Sequence, residues 1–326
     1  MIRLFVIGGW SLLLCFGSGV AVKAQDTIPA SLNLIFAGDI MGHADQIKSA
    51  EIIPDSVYDY TACFVEISPL IKEADLAMGN LELTLPGKPP YTGYPDFKSP
   101  DALAEALAGA GFDLLFTANN HSADAGSAGI VNTIATLEKQ FLFQTGTFRD
   151  SLERELLYPL IIYRKGFKLA FLNYTYSTNG VRVRPPHYVN RIDEDLIADD
   201  IARAKAMQAD FIIIMMHWGE EYQTQFNRKQ EKLAEQMIAA GADLIVGSHP
   251  HVVQPMRWYE REVDGRQKKV LVAYSLGNFI SGQTYPYTDG GILLKVVLEK
   301  NTDTYIKDSD YVPVWRNKAW VAGREK

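Results

Sequence analysis

Short apolar runs alternate along the chain with segments of helical spacing. Leu32-Asn33-Leu34-Ile35-Phe36-Ala37 reads as a buried strand and ends in Gly38-Asp39. Helical spacing over residues 64–74 leads to a strand at 76–78, which runs out into Gly79-Asn80-Leu81-Glu82. After a loop rich in Pro, Gly and Tyr, Asp101 stands as the N-cap of a helix over 102–110 that stops at Gly111. A strand over 112–117 ends in Ala118-Asn119-Asn120-His121, and a helix follows over 130–139. Residues 160–163 and 168–172 read as a strand pair across Lys165-Gly166. A helix over 196–207 precedes a strand over 211–216 that ends in His217-Trp218-Gly219. A helix over 229–240 closes at Gly241, and the strand 244–246 runs into Gly247-Ser248-His249-Pro250-His251. Strands over 270–273 and 292–298 complete the pattern. Such alternation predicts an α/β layered fold in which helices cover a largely parallel sheet. With no internal repeat, low-complexity stretch or linker, residues 25–326 read as a single domain.

Five of these strands end in a turn bearing Asp, Glu, Asn or His. In open α/β sheets, ligands bind in the crevice beyond the carboxyl ends of the strands. The residues so placed are Asp39, Glu82, Asn120, His121, His217, His249 and His251, which include four of the six histidines. Imidazole, carboxylate and amide oxygen suit Mn, Fe or Zn better than a soft thiolate site would. Seven groups exceed what one tetrahedral ion takes and suit two ions sharing a carboxylate, the arrangement that clamps the oxygens of an in-line displacement on phosphorus. Alternating histidines on an extended segment point to one face, and Pro250 stiffens their spacing.

Composition narrows the function. Apolar residues make up 47% of the 326, and charged residues 22%, as in an ordinary folded protein. The net charge of −7 and the lack of a long basic run argue against nucleic acid as a partner. Cys15 and Cys63 form no CxxC pair, which excludes zinc fingers and disulfide scaffolds; Cys63 reads as a packed apolar residue. Within this acidic chain, residues 173–190 form a basic, Pro-bearing loop, and Arg182 and Arg184 are its candidates for holding an anionic substrate.

Residues 1–24 read as a secretory signal peptide, with Arg3, an apolar stretch and a small residue at Ala24. The apolar run falls short of the roughly 20 residues a membrane span needs, although an uncleaved anchor is the alternative. The expected location is the periplasm or cell envelope.

Six ordered blocks give the chain a resemblance. Gly38-Asp39-Ile40-Met41, Gly79-Asn80-Leu81-Glu82, Ala118-Asn119-Asn120-His121 with Asp124, His217-Trp218-Gly219, Gly247-Ser248-His249-Pro250-His251 and Tyr274-Ser275-Leu276-Gly277-Asn278-Phe279 resemble the signature blocks of the CapA family of bacterial capsule and poly-γ-glutamate synthesis proteins. That family is similar in turn to calcineurin-like metallophosphoesterases. The resemblance implies a layered α/β/β/α sandwich and one or two divalent ions held by Asp39, Glu82, Asn120, His217, His249 and His251. It implies that Glu82 is the bridging carboxylate, that His121 assists the leaving group and that Asp124 orients His121. It also marks departures. Met41 stands where a ligating histidine is usual, with His43 the nearest imidazole that could replace it, and Ser248 is inserted after Gly247. Asn278 reads as a turn residue.

The implied functions fall in two classes. One is a metal-dependent phosphoester hydrolase in capsule or envelope polymer synthesis, acting on an anionic polymer or phosphoester beside a membrane-bound polymer synthase. The other is a non-catalytic polymer-binding or export factor on a degenerate metallophosphatase scaffold.

Overall fold

The computed structural model describes residues 29–54, 56–263, 265–317, 320–321 and 324–325; the expected signal segment 1–24 lies outside them. Two large sheets lie face to face. The first runs in the order Thr304–Trp315, Gly290–Lys300, Ala30–Ile40, Leu76–Leu81, Leu114–Phe116, Phe143–Thr145, with Asn278–Ile280 pairing beside Ala30–Ile40. The second runs Val253–Val263, Arg266–Leu276, Leu244–Ser248, Phe211–His217, Phe167–Thr175, Leu160–Arg164.

Side-chain alternation explains the layering. Leu32, Leu34 and Phe36 point into a core shared with Phe171, Ile213, Met215 and Val246 of the opposite sheet. Ile35 and Ala37, one position out of phase, pack outward with Leu103 and Leu107 of the helix Ala102–Ala110 and Leu137 of Gly126–Lys139. Ile212, Ile214 and Met216 likewise face Ile197 and Ile201 of Glu194–Ala206 and Met237 of Arg228–Ala240. The central strands are thus buried on both faces, which is why they read as continuous apolar runs. Each fully buried large side chain contributes about 1.5–3 kcal/mol relative to exposure. The result is the α/β/β/α sandwich.

The centre of each sheet is parallel, as expected, but the edges are not. Thr304–Trp315, Gly290–Lys300 and Ala30–Ile40 pair antiparallel in succession, and Val253–Val263 pairs antiparallel with Arg266–Leu276. The two edge strands, Thr304–Trp315 and Val253–Val263, carry many exposed positions and lack the long apolar runs that reveal the central ones. The predicted strand pair does close at Lys165-Gly166, both at positive φ.

Three local expectations are corrected. The helix over 64–74 reduces to a 3-10 turn, Thr61–Cys63, and one α-turn, Ser68–Ile71. Pro69 lacks an N–H and is tolerated only in the first turn, so the helix starts there. Asp101 precedes the helix Ala102–Ala110 but makes no side-chain cap; its carboxylate instead accepts from Thr136 Oγ1 at 3.1 Å. Cys63 lies exposed on the 3-10 turn instead of in the core.

Candidate metal centre

The carboxyl ends of both sheets meet at one edge. Asp39 leaves the strand Ala30–Ile40 at a register shift between Ala37 and Asp39. Gly38 makes this possible: a Cβ there would fall 1.9 Å from Gly277 O, the carbonyl that accepts from Asp39 N at 3.0 Å. Gly247 plays the same part in the second sheet, where a Cβ would lie 1.9 Å from Tyr274 O.

Asp39, Glu82, Asn120, His217, His249 and His251 are all buried and converge here. Ligand atoms of Glu82, His249 and His251 lie within 4.8 Å of one another, and so do those of Asp39, Glu82 and His217. Glu82 belongs to both groups. Glu82 Oε1 is 3.6 Å from His217 Nε2 and 3.8 Å from His251 Nε2. Neither Glu82 oxygen has a hydrogen-bond partner among the described residues, and neither does His249 Nδ1. Buried polar atoms left so are costly unless something else satisfies them. Hard carboxylate oxygens beside imidazole nitrogens form a donor set that fits a divalent cation.

Electrostatics agree with that fit. Burial, then the neighbouring Asp39, raises the Glu82 carboxyl well above its ordinary value. Burial, then His251, pushes the His249 imidazole down to about 3. Burial and the imidazoles of His249 and His251 lower His217 well below its ordinary value. These histidines stay neutral at physiological pH, the form that ligates.

Surrounding residues set the ring orientations. His251 Nδ1 donates to Asp39 Oδ2 at 3.1 Å and faces Asn278 Oδ1 at 3.2 Å, which leaves Nε2 as its lone-pair atom toward Glu82. Asn278 is therefore a positioning group, and its amide is held by Gln283 Oε1 and Thr288 O. His217 Nε2 lies 2.7 Å from Asn120 Oδ1, while its Nδ1 faces Ser248 Oγ at 3.0 Å and Asn80 Nδ2 at 3.3 Å. Asn80 Nδ2 also donates to Asp39 Oδ1 at 2.9 Å. The sequence signalled Asn80 and Ser248 only as members of their blocks. Tyr176, whose ring packs 4.5 Å from that of His249, was signalled only as a member of the 173–190 segment.

The His249-Pro250-His251 segment is not extended. His249 has φ 96° and His251 φ 59°, so the chain kinks twice through the left-handed region. The two rings reach the site by this double kink, with centroids 5.9 Å apart, and not by strand alternation. Left-handed backbone at non-glycine residues is costly and tends to cluster at functional sites.

His121 sits at the pocket margin with Nδ1 2.7 Å from Asp124 Oδ2. Asp124 Oδ2 is in turn anchored by the Phe97 amide at 2.7 Å. His121 Nε2 is left facing Asn179 Nδ2 at 3.4 Å. Met41 is buried and packs its sulfur against Ser281 Oγ. His43 does not replace the missing ligand: it belongs to neither ligand group, and its Nδ1 accepts from Gly282 N at 2.8 Å. Arg182 and Arg184 make no hydrogen bond or ion pair with the cluster among the described residues; Arg182 lines a separate cavity. No helix among the described residues is long and apolar enough to cross a membrane.

The chain is similar to known proteins in sequence and in fold. A family model described as "Bacterial capsule synthesis protein PGA_cap" matches residues 33–283. The chain is 30% identical over 296 residues to the capsule biosynthesis protein CapA of Bacillus anthracis, covering 87% of this chain and 67% of that protein. It is 29% identical over 296 residues to the PGA biosynthesis protein CapA of Bacillus subtilis strain 168, covering 86% and 70%. Among solved structures it is similar to the calcineurin-like phosphoesterase YfkN from Bacillus subtilis, with a TM-score of 0.53 at 16% identity over 88% of this chain and 91% of that one. The 5'-nucleotidase precursor from Thermus thermophilus gives a TM-score of 0.51 at 14% identity over 87% of this chain. This chain spans about half (54%) of that nucleotidase. At these identities the structural likeness establishes the metallophosphoesterase fold.

Proposed function

The chain belongs to the bacterial capsule synthesis protein family, and from that premise we propose that it is an exported, metal-dependent phosphoester hydrolase in the synthesis of a capsule or other envelope polymer. One observation supports this most: Glu82, fully buried with both carboxylate oxygens unpartnered among the described residues, is common to two ligand groups, each of which joins residues of both sheets. Asp39, Glu82 and His217, with Asn120, would hold one divalent ion, and Glu82, His249 and His251 a second. Such ions supply Lewis acidity toward a phosphoryl oxygen.

The protein's own groups do the rest. Asp39 and Asn278 keep the proton of His251 on Nδ1. As the His217 ring stands, Nε2 donates to Asn120 Oδ1 and Nδ1 accepts from Asn80 Nδ2 and Ser248 Oγ; were Nε2 to serve as a ligand, Ser248 Oγ would accept the proton on Nδ1 instead. Asp124 fixes the His121 ring and favours a proton on Nδ1, and it stabilises the imidazolium that forms when Nε2 is also protonated. His121 then gives the Nε2 proton to the leaving oxygen as general acid. The substrate is an anionic polymer or phosphoester, and a membrane-bound polymer synthase is the natural partner.

Met41, which offers no ligand where a histidine is usual, favours a second reading, a non-catalytic polymer-binding or export factor. Metal content and turnover of aryl phosphates with added manganese separate the two. Purified wild type is expected to hold metal and turn over, and His249→Ala and Asp39→Ala to lose both. A wild type with neither metal nor turnover that still binds a polyanion overturns the hydrolase in favour of the second reading.

A further inference from the structure

Beyond the His121 turn lies a cavity of about 460 Å³. Its polar wall holds Arg182, His187 and Arg191, together with Thr178 and Tyr188, and no carboxylate lines it among the described residues. Some arginines of this acidic protein are paired with acids, Arg149 with Glu138 and Glu153, Arg154 with Asp200, and Arg261 with Asp243. Among the described residues Arg182 and Arg191 have no ion pair. Arg191 is held in place by neutral groups, donating to Tyr176 O at 2.7 Å and Thr178 Oγ1 at 3.3 Å. His187 Nδ1 donates to Arg149 O at 2.8 Å, which fixes its ring and leaves Nε2 unclaimed by that bond.

The cavity is joined to the catalytic edge by packing. Val181, Val183 and Val189 of its wall pack in one apolar cluster with Ala118 and Ala123, the residues that flank Asn119-Asn120-His121. Asn179, next to Thr178, reaches His121 Nε2. Tyr176, whose carbonyl Arg191 holds, packs on His249. The cavity therefore lies on the side of His121, the group assigned to the leaving oxygen.

From this placement we infer that the cavity is an oxyanion subsite, in which Arg182 and Arg191 bind a carboxylate or phosphate carried by the leaving-group part of the substrate. Guanidinium forks bind either group by charge-assisted hydrogen bonds. The leaving-group assignment rests on the hydrolase reading; the oxyanion site itself does not. Arg182 is the specificity-determining residue, because no carboxylate among the described residues competes for its charge.

Calorimetry on the full chain tests the site directly with three probes at matched ionic strength: a γ-linked glutamate tetramer, the corresponding glutamine tetramer and inorganic phosphate. Binding of the glutamate tetramer assigns the cavity to carboxylates, and binding of phosphate that is lost in Arg182→Glu assigns it to phosphoryl groups. In either case Arg182→Gln weakens binding about tenfold or more, Arg182→Glu weakens it further, and Arg191→Lys retains part of it. Glutamine-tetramer binding equal to that of the glutamate tetramer, or unchanged affinity in Arg182→Glu, overturns the inference. In turnover, Arg182→Gln raises KM for an aryl phosphate whose leaving group bears a carboxylate and leaves KM for an uncharged leaving group unchanged; equal KM changes for both overturn the leaving-side placement. Absence of all turnover in wild type rejects the hydrolase alone, since the calorimetric result stands apart from it.

Discussion

Glu82 Oε1 stands 3.6 Å from His217 Nε2, outside hydrogen-bond range, although both side chains are fully buried. A carboxylate enclosed in this way without a partner is a liability to the fold and an asset only to a cation. Replacing Glu82 by Gln keeps the shape and removes the charge. In metal-free protein the Glu82→Gln variant is expected to be more stable than wild type by about 1–3 kcal/mol. It should also lose the rise in Tm that manganese gives wild type. Thermal unfolding with chelator and with metal reads both effects; a variant that keeps the full metal response contradicts the shared-ligand assignment.

The pairing of His121 with Asp124 separates chemistry from metal binding. His121→Ala is expected to lower kcat by about 100-fold to 10,000-fold with metal content unchanged. Asp124→Asn should cost less and act by the same route, since it leaves the ring in place without the charge that favours the protonated imidazole. KM should stay near that of wild type. Metal analysis beside steady-state kinetics checks this, and parallel loss of metal would move both residues out of the acid role.

His43 makes a prediction about pH. Burial pushes its imidazole from the ordinary 6.5 down to about 4, against the opposing contact with Gln46. A depressed folded-state value means that the neutral ring's contribution to stability is present above pH 6.5 and is lost as pH falls from 6.5 toward 4. The neutral ring accepts the Gly282 amide and packs edge-on against Phe97 at 4.8 Å. The loss is on the order of 2–3 kcal/mol, each pH unit being worth about 1.4 kcal/mol. Urea titrations across this range should show a shallower decline for His43→Asn than for wild type. Equal slopes would mean that His43 does not become charged in that window.

Gly38 tests the backbone scaffold. A Cβ at this position meets the Gly277 carbonyl at 1.9 Å, and its nearest neighbours are all backbone atoms of Leu276 and Gly277, which leave little room to yield. Gly38→Ala is expected to cost about 3 kcal/mol and to displace Asp39, whose amide bonds that same carbonyl. Denaturant unfolding and metal affinity should fall together. Wild-type values for both would show that the strand junction relaxes freely.

Much of the layered core was legible from local pattern, because an apolar run buried on both faces or a helix closing on Gly111 or Gly241 is written within a few neighbouring residues. The helix Ala102–Ala110 and the hairpin at Lys165-Gly166 have their predicted form. The antiparallel edge strands were less visible because many of their positions are exposed and their pairing partners are fixed by position in the sheet. Asp101 shows the limit of a capping rule: its sequence position suits an N-cap, but Thr136, on another helix, claims its carboxylate.

The kinds of chemical group were likewise present in the sequence, as acids, amides and imidazoles at the ends of apolar strands. Their convergence was decided by the packing of two sheets. Asp39 and His251 are 212 positions apart and lie in hydrogen-bond contact only because their strands end at a common edge. The double left-handed kink at His249 and His251, the tautomer that Asn278 supports and the sharing of Glu82 between two groups are set by contacts across that edge. Strand and helix formation respond to residues a few positions away, whereas a buried site responds to whatever the fold brings within a few ångströms. Residue types are therefore readable in one dimension, and coordination only in three.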